Sequence, residues 1–368
     1  MKKKIRRRFF YILILAFLGI APLLVAYSLG YTINISQHSI SQNGGVFIKS
    51  RTPRLAIFLN SQFMKEPSLF SGGARLSGIE PGVYLLRIEK AGYTPWSKTV
   101  AVESAVVTEL RNIILSPNPV PIATSTAQEI SLIKSSGREI TQATSTLFFL
   151  DKKKALTERT GTTTKIIATN IHSFSQLGNE LFFINENGFL ARKMPSSEVI
   201  EVLGRPGFFL ESKKPFVFLK SPLGEVALLD PSGGLFIVDD NNAVKTVTGG
   251  VKNMSFDSRG EKLLITKGRE VLVRWMQDNR YQPFQKKGVI ESLLSVPSDI
   301  FDARWLYQSD SHIALMAREG IFLTETDGRG GRNTIELVTG KTDEILTTPG
   351  QPSSVFFRQG KTWFTIKL

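Results

Sequence analysis

Segments in the last two-thirds of this chain read alike. Each sets a short apolar run against a tight polar or glycine turn and a second apolar run. They are TLFFLD (146–151), ELFFINENGFLARK (180–193), VALLDPSGGLFIVDD (226–240), FDSRGEKLLITKGREVLVRW (256–275) and HIALMAREGIFLTETDGRGGRNTIELV (312–338). Their starts recur at roughly 35 to 50 residues, the span of one four-stranded blade. No long segment in this region has helical periodicity, so the pattern predicts an all-β fold for residues 128–368.

About 240 residues accommodate five or six such blades of roughly 40 to 45 residues each. The rhythm resembles a degenerate β-propeller, similar to the WD-repeat and Tol-type periplasmic propellers. Phe256-Asp257-Ser258-Arg259-Gly260 stands where those families carry a Ser-Pro-Asp-Gly turn, and Asn185-Glu186-Asn187-Gly188 and Asp230-Pro231-Ser232-Gly233 are comparable hairpin turns. A stacked sandwich or two smaller β-domains would satisfy the same periodicity.

Ahead of this region, SPNPVPIATSTA (116–127) places three prolines within six residues and then Ser and Thr. That composition predicts a stiff connector, and residues 117–127 read as the linker between domains. Residues 45–116 read as a second, smaller β-domain. VFIKS is followed by a turn at Arg51-Thr52-Pro53-Arg54, then LAIFLNS, a loop with Gly72-Gly73, ARLSGI, and the stretch EPGVYLLRIEKAGYTPWSKTVAV (80–102). Pro81 presets a turn φ, Gly82 can supply the positive φ of a type II turn, and Gly92 allows a corner before Tyr93.

The order Ser-x-x-Pro53, AIFLN, Pro81-Gly82, Gly92-Tyr93 and Trp96 resembles a PEGA domain. The resemblance implies a small β-sandwich module of the kind found on surface and envelope proteins of bacteria and archaea. Asn60-Ser61 replaces the family's aspartate-glycine. Pro53, Pro81, Gly82, Gly92, Tyr93 and Trp96 are then the structural motif residues. Tyr93 and Trp96 are also the candidates for an aromatic binding platform, although large rings more commonly close a small core.

The N-terminus sets the compartment. MKKKIRRR (1–8) precedes Phe9 to Gly30, 22 residues without a charge. At about 1.5 Å per residue such a helix crosses a hydrocarbon core of roughly 30 Å. The run is longer than the apolar region of a cleaved signal peptide and Val25-Ala26-Tyr27-Ser28 is a poor cleavage site, so it reads as an uncleaved signal anchor. The basic tail then stays in the cytoplasm, residues 31–44 form a polar stalk, and the bulk of the chain is extracytoplasmic. The tail holds six of the +14 net charges, which leaves +8 scattered over the rest. No basic patch interleaved with aromatics points to nucleic acid.

Catalytic or metal-binding patterns are sparse. There are no cysteines and three histidines, His38, His172 and His312. No Gly-x-Ser-x-Gly elbow or His-Glu-x-x-His is present. Asp239-Asp240-Asn241-Asn242 could offer oxygens to calcium but suits a polar turn better. Asp327-Gly328-Arg329-Gly330-Gly331-Arg332 could cradle an anion but reads as a mobile turn, and Glu325 with Asp327 reads as a solvated edge rather than a glycosidase pair. The sequence therefore predicts no cofactor and no enzyme. It predicts a membrane-anchored envelope protein that binds or scaffolds a protein or glycan partner. A polysaccharide hydrolase or lyase and a membrane assembly factor are the rival readings.

Overall fold

A computed structural model describes residues 3–28, 30–34, 39–65, 73–136, 146–194, 197–211, 214–239, 241–307 and 309–368. The first element is the helix Lys3–Ser28, whose stretch Arg6–Ser28 is long and apolar enough to cross a membrane. Part of the expected stalk is a ladder: Tyr31–Asn34 pairs antiparallel with Ser39–Gln42, with Ile33 opposite Ile40. Isoleucine alternating with polar residues in both strands is a strand period. His38 and Gly72 lie outside the described residues.

The chain divides into two compact units. One comprises residues 1–120 with 327–333 and 368, the other residues 121–326 with 334–367.

In the first unit two sheets share a core. Gly44–Ser50 lies between Ala74–Ile79, antiparallel to it, and Val107–Ile113, parallel to it. The other sheet runs Gln62–Lys65, Ala56–Leu59, Gly82–Glu89, Trp96–Val102, all antiparallel. Trp96–Val102 alternates strictly, with Trp96, Lys98, Val100 and Val102 inward. Trp96 joins Val46, Ile57, Leu86 and Ile88 in the core, and Tyr93 packs against it half-buried. Gly78 (φ +74°) and Gly92 (φ +78°) are left-handed and Gly82 is not, which corrects the assignment of that role to Gly82. Gly82 already belongs to the strand, where a Cβ would stand 3.4 Å from the Tyr84 ring. The Tyr84 hydroxyl donates to Glu80 O at 2.8 Å.

The second unit is a β-propeller of six sheets in chain order. Blade 1 (146–168) shows three strands among the described residues. Blades 2 (171–204), 3 (217–248), 4 (253–295) and 5 (300–339) are four-stranded meanders. In blade 6 the strands Glu344–Thr348, Gln351–Gln359 and Thr362–Lys367 are completed by Ile122–Ser125, with Ile122 opposite Ile366. The innermost strands of neighbouring blades touch: Ile171–Leu177 with Val217–Lys220, and Ile300–Trp305 with both Asn253–Phe256 and Glu344–Thr348.

The unbroken apolar runs follow from this packing, because the sheets of blades 2 and 3 are covered on both faces. In Val226–Leu229, Val226 and Leu228 pack toward blade 2 while Ala227 and Leu229 pack toward blade 4. In Glu180–Asn185, Phe182 and Ile184 serve one interface, Leu181 and Phe183 the other. Each such Val, Leu, Ile or Phe side chain contributes about 2 kcal/mol by leaving water.

The expected linker is shorter than its composition implied, since Ile122–Ser125 is the closing strand of blade 6. The expectation of a helix-free region is also corrected, because Ala127–Ser136 is α-helical. Thr126 caps it, its Oγ1 accepting from Glu129 N at 3.2 Å, and Ile130 and Ile133, one turn apart, pack on Phe356. Thr126-x-x-Glu129 is a capping-box signature that the Ser/Thr-rich context obscured.

Candidate functional site

In a four-stranded meander the turn between the second and third strands and the connection to the next blade share one rim. That turn in blades 2 and 3, and the turn between Thr146–Leu150 and Leu156–Thr160 in blade 1, are built the same way. Asp151 Oδ1 accepts from Lys153 N and Ala155 N, each at 2.8 Å. Asn185 Oδ1 accepts from Asn187 N and Phe189 N, and Asp230 Oδ1 from Ser232 N and Gly234 N. One side-chain oxygen thus satisfies two turn donors, which is why these stretches look alike in sequence.

Between the blade 1 and blade 2 turns a cavity of about 520 Å³ opens on this rim. Its apolar wall is Leu150, Phe174, Leu210 and Pro215. Its polar groups are His172, Ser173, Lys154, Glu186, Glu211 and Lys214. Lys154 forms an ion pair with Glu186, joining the two turns. The backbone sets both partners: Ile171 N donates to Lys154 O at 2.9 Å, and Glu186 N donates to Asn170 O at 2.8 Å.

His172 is oriented by the connection 205–216. Its Nε2 is 3.0 Å from Leu210 O. A carbonyl only accepts, so this nitrogen carries a proton, and in the neutral ring Nδ1 is an acceptor. Phe216 meets the ring edge-on, with centroids 5.6 Å apart at 86°. Nδ1 is buried and makes no hydrogen bond among the described residues. The site therefore combines one oriented acceptor, one ion pair and an apolar wall. The sequence pattern gave His172 no site role, because its neighbours come from two blades and from a connection 38 residues downstream.

The other sequence candidates lie elsewhere. His312 is buried in blade 5, its Nδ1 3.4 Å from Ser309 Oγ. Asp239 accepts from Asn241 N at 2.9 Å and pairs with Lys245 at 2.7 Å, while Asp240 lies outside the described residues. The Lys245 hydrogen bond, with the turn's backbone donors, holds the Asp239 carboxyl below its usual range. Among the described residues no cluster of His, Asp and Glu could hold a metal ion. Trp96, at 3% exposure, presents no open ring face; Tyr93 carries Lys90 Nζ 4.8 Å from its centroid.

Residues 327–333 are not the mobile turn expected. Lys98 Nζ donates to Asp327 O at 2.8 Å and lies 4.0 Å from the carboxylate, which Arg329 grips at 2.7 Å. Thr99 N donates to Gly330 O at 3.2 Å, Asn333 Nδ2 to Ser97 O at 3.0 Å, and Arg329 Nη2 to Glu109 O at 2.7 Å. Burial pushes the Asp327 carboxyl up, but the Arg329 hydrogen bond and the Lys98 and Arg329 charges outweigh it, and the net shift is downward. Glu325 is buried in blade 5, so the two carboxylates do not form the solvated edge expected.

Neither a family model nor a curated protein matches this sequence. Solved structures align with part of the chain. YCF48 from Cyanidioschyzon merolae aligns at 12% identity and a TM-score of 0.37, covering 61% of this chain and 78% of that one. An oligogalacturonate lyase in complex with manganese aligns at 9% identity and 0.38, covering 78% and 86%. A gluconolactonase-like protein aligns at 12% identity and 0.30, covering 60% and 87%. The chain is a β-propeller protein. Likeness of this degree transfers no reaction or ligand, but it corrects the expectation that the chain is not an enzyme. The structures it aligns with include a lyase and a gluconolactonase-like protein.

Proposed function

We propose that this chain is a membrane-anchored binding protein of the cell envelope, whose propeller docks a segment of a partner protein in the blade 1–blade 2 cavity. The N-terminal helix is the signal anchor, with the basic tail cytoplasmic and the rest extracytoplasmic. The small two-sheet unit is a PEGA-like module between anchor and propeller. The observation that carries the docking reading is the oriented His172 imidazole, whose buried Nδ1 acceptor lacks a donor beside an apolar wall and an ion pair. A peptide N–H or a side-chain hydroxyl would supply that donor.

The test is site-specific photo-crosslinking of the full-length protein in its own membrane. Probes at Glu211 and Phe174 are expected to trap one defined partner that probes at exposed Lys165 do not. The adduct should fade in His172→Phe. Equal crosslinking at all positions, or retention of a purified envelope glycan by the cavity in place of protein, would refute the reading.

A further inference from the structure

The opposite rim of the propeller holds a feature that neither the turns nor the core accounts for. In blade 4, Glu270–Trp275 and Ile290–Ser295 are joined by the long connection 276–289, where blades 2 and 3 use only 194–199 and 239–243. The connection is fastened by its own bonds. Asn279 N donates to Gln285 O at 2.8 Å, Asn279 Nδ2 to Pro283 O at 2.8 Å, and Gly288 N to Trp275 O at 2.7 Å. Asp278 accepts from Lys287 N at 2.8 Å and from Lys286 Nζ at 3.0 Å, which holds its carboxyl below the usual range. The fastened loop displays two rings, Tyr281 at 65% and Phe284 at 68% exposure. Exposed aromatics on a loop with fixed geometry lose little entropy on contact, and Tyr, Trp and Arg are the residues that dominate protein interfaces.

Beside the loop is a cavity of about 330 Å³, lined by Arg259, Glu261, Trp275, Gln277, Arg280 and Tyr281 among others. Trp275 is buried, and its Nε1 makes no hydrogen bond among the described residues. The acidic groups around the cavity are matched by cations of the protein itself. Glu261 pairs with Arg259 at 2.9 Å, Asp278 with Lys286 at 3.0 Å, and Glu225 with Lys287 at 3.2 Å. Arg280 is exposed and, beyond its charge attraction to Asp278, makes no hydrogen bond or ion pair among the described residues. The connection thus presents an exposed guanidinium and two exposed rings beside a buried indole N–H that has no acceptor among the described residues.

We propose that this connection is a second docking site, for an acidic peptide segment of a partner protein. A carboxylate of the segment pairs with Arg280, which favours bidentate acceptors. Its apolar side chains lie against Tyr281 and Phe284, and one of its oxygens takes the Trp275 N–H. Phe284 carries no polar atom, so that part of the surface selects apolar side chains over hydroxyl-rich ligands.

The experiment is a binding titration of the full-length, detergent-solubilised protein. The probes are short synthetic peptides alternating Glu with Leu, Lys with Leu, and Glu with Ser, and an acidic oligosaccharide. The Glu-Leu peptide is expected to bind, to weaken as salt rises, and to lose roughly tenfold or more in affinity in Arg280→Glu and in Tyr281→Ala. Lys245→Ala, on blade 3, should bind as the parent does, and circular dichroism should show all variants folded. Equal binding of the Lys-Leu peptide, indifference to Arg280→Glu in a folded variant, or preference for the oligosaccharide would each overturn the proposal.

Discussion

Two buried lysines, one in each unit, meet an aspartate in opposite ways. In the two-sheet unit, Lys98 approaches Asp327, which also holds Arg329, and the carboxyl is driven down. In the propeller, Lys262 stands between the Trp275 and Trp305 rings, 5.5 and 5.3 Å from their centroids, and reaches Asp257 at 3.3 Å. Asp257 Oδ2 is buried without a hydrogen bond, and Asp310 adds a second negative charge nearby. There desolvation dominates and the Asp257 carboxyl is pushed up, with the Lys262 charge offsetting only part of it. The lesson is that a buried carboxylate is governed by how many donors it gathers against the water it loses.

Breaking the propeller pair has the largest expected effect. Lys262→Met strands Asp257 without a counter-charge and should destabilise the propeller by about 3–5 kcal/mol. Urea unfolding followed by tryptophan fluorescence reads this directly, because the lysine contacts two of the indoles. An unchanged midpoint would mean that Asp257 is already neutral when the chain folds.

Lys98→Met should cost less, about 1.5–3 kcal/mol for a lost charged hydrogen bond. Arg329 stays on Asp327, so that carboxylate keeps a partner. Protease nicking within 327–333, compared between parent and variant, checks whether the segment comes loose.

The smallest effect is the most specific, because the two aspartates respond to pH with opposite signs. Asp327 is lowered from 3.8, so its stabilisation is present above that value and is lost as pH falls through the folded pKa. Asp257 is raised from 3.8, so its contribution is fully present below that value and is lost as pH rises through the folded pKa. Denaturation midpoints measured on the acid side of neutrality should therefore lose part of their fall toward low pH in Asp327→Asn. In Asp257→Asn they should lose part of their fall toward high pH. The same trend in both variants would contradict the comparison.

The turn chemistry that makes the propeller's hairpins was legible in sequence, because Asp151, Asn185 and Asp230 act within five residues of themselves. The alternation of Trp96–Val102 was legible for the same local reason. What escaped is non-local. Lys98 occupies an inward position that alternation would give to an apolar residue, and only residues 327–333 explain it. Lys262 opens a strand like any surface lysine until two indoles and two aspartates gather around it. His172 gains its role from Lys154, Leu210 and Phe216, three stretches that share no motif. The prolines of 117–121 hid the closing strand, since composition signals a linker while pairing is decided at residues 362–367.

That closing strand also sets the order of events in the chain's synthesis. Residues 122–125 emerge early, yet their ladder partner follows about 240 residues later, with Ile122 opposite Ile366. Blades 2 to 5 can each form from neighbouring sequence as it appears, but blade 6 must wait, and until then both end blades expose a face meant for a neighbour. If the chain crosses a membrane during synthesis, as the anchor reading requires, the delay is useful. A ring that cannot lock before that strand arrives stays threadable until it does.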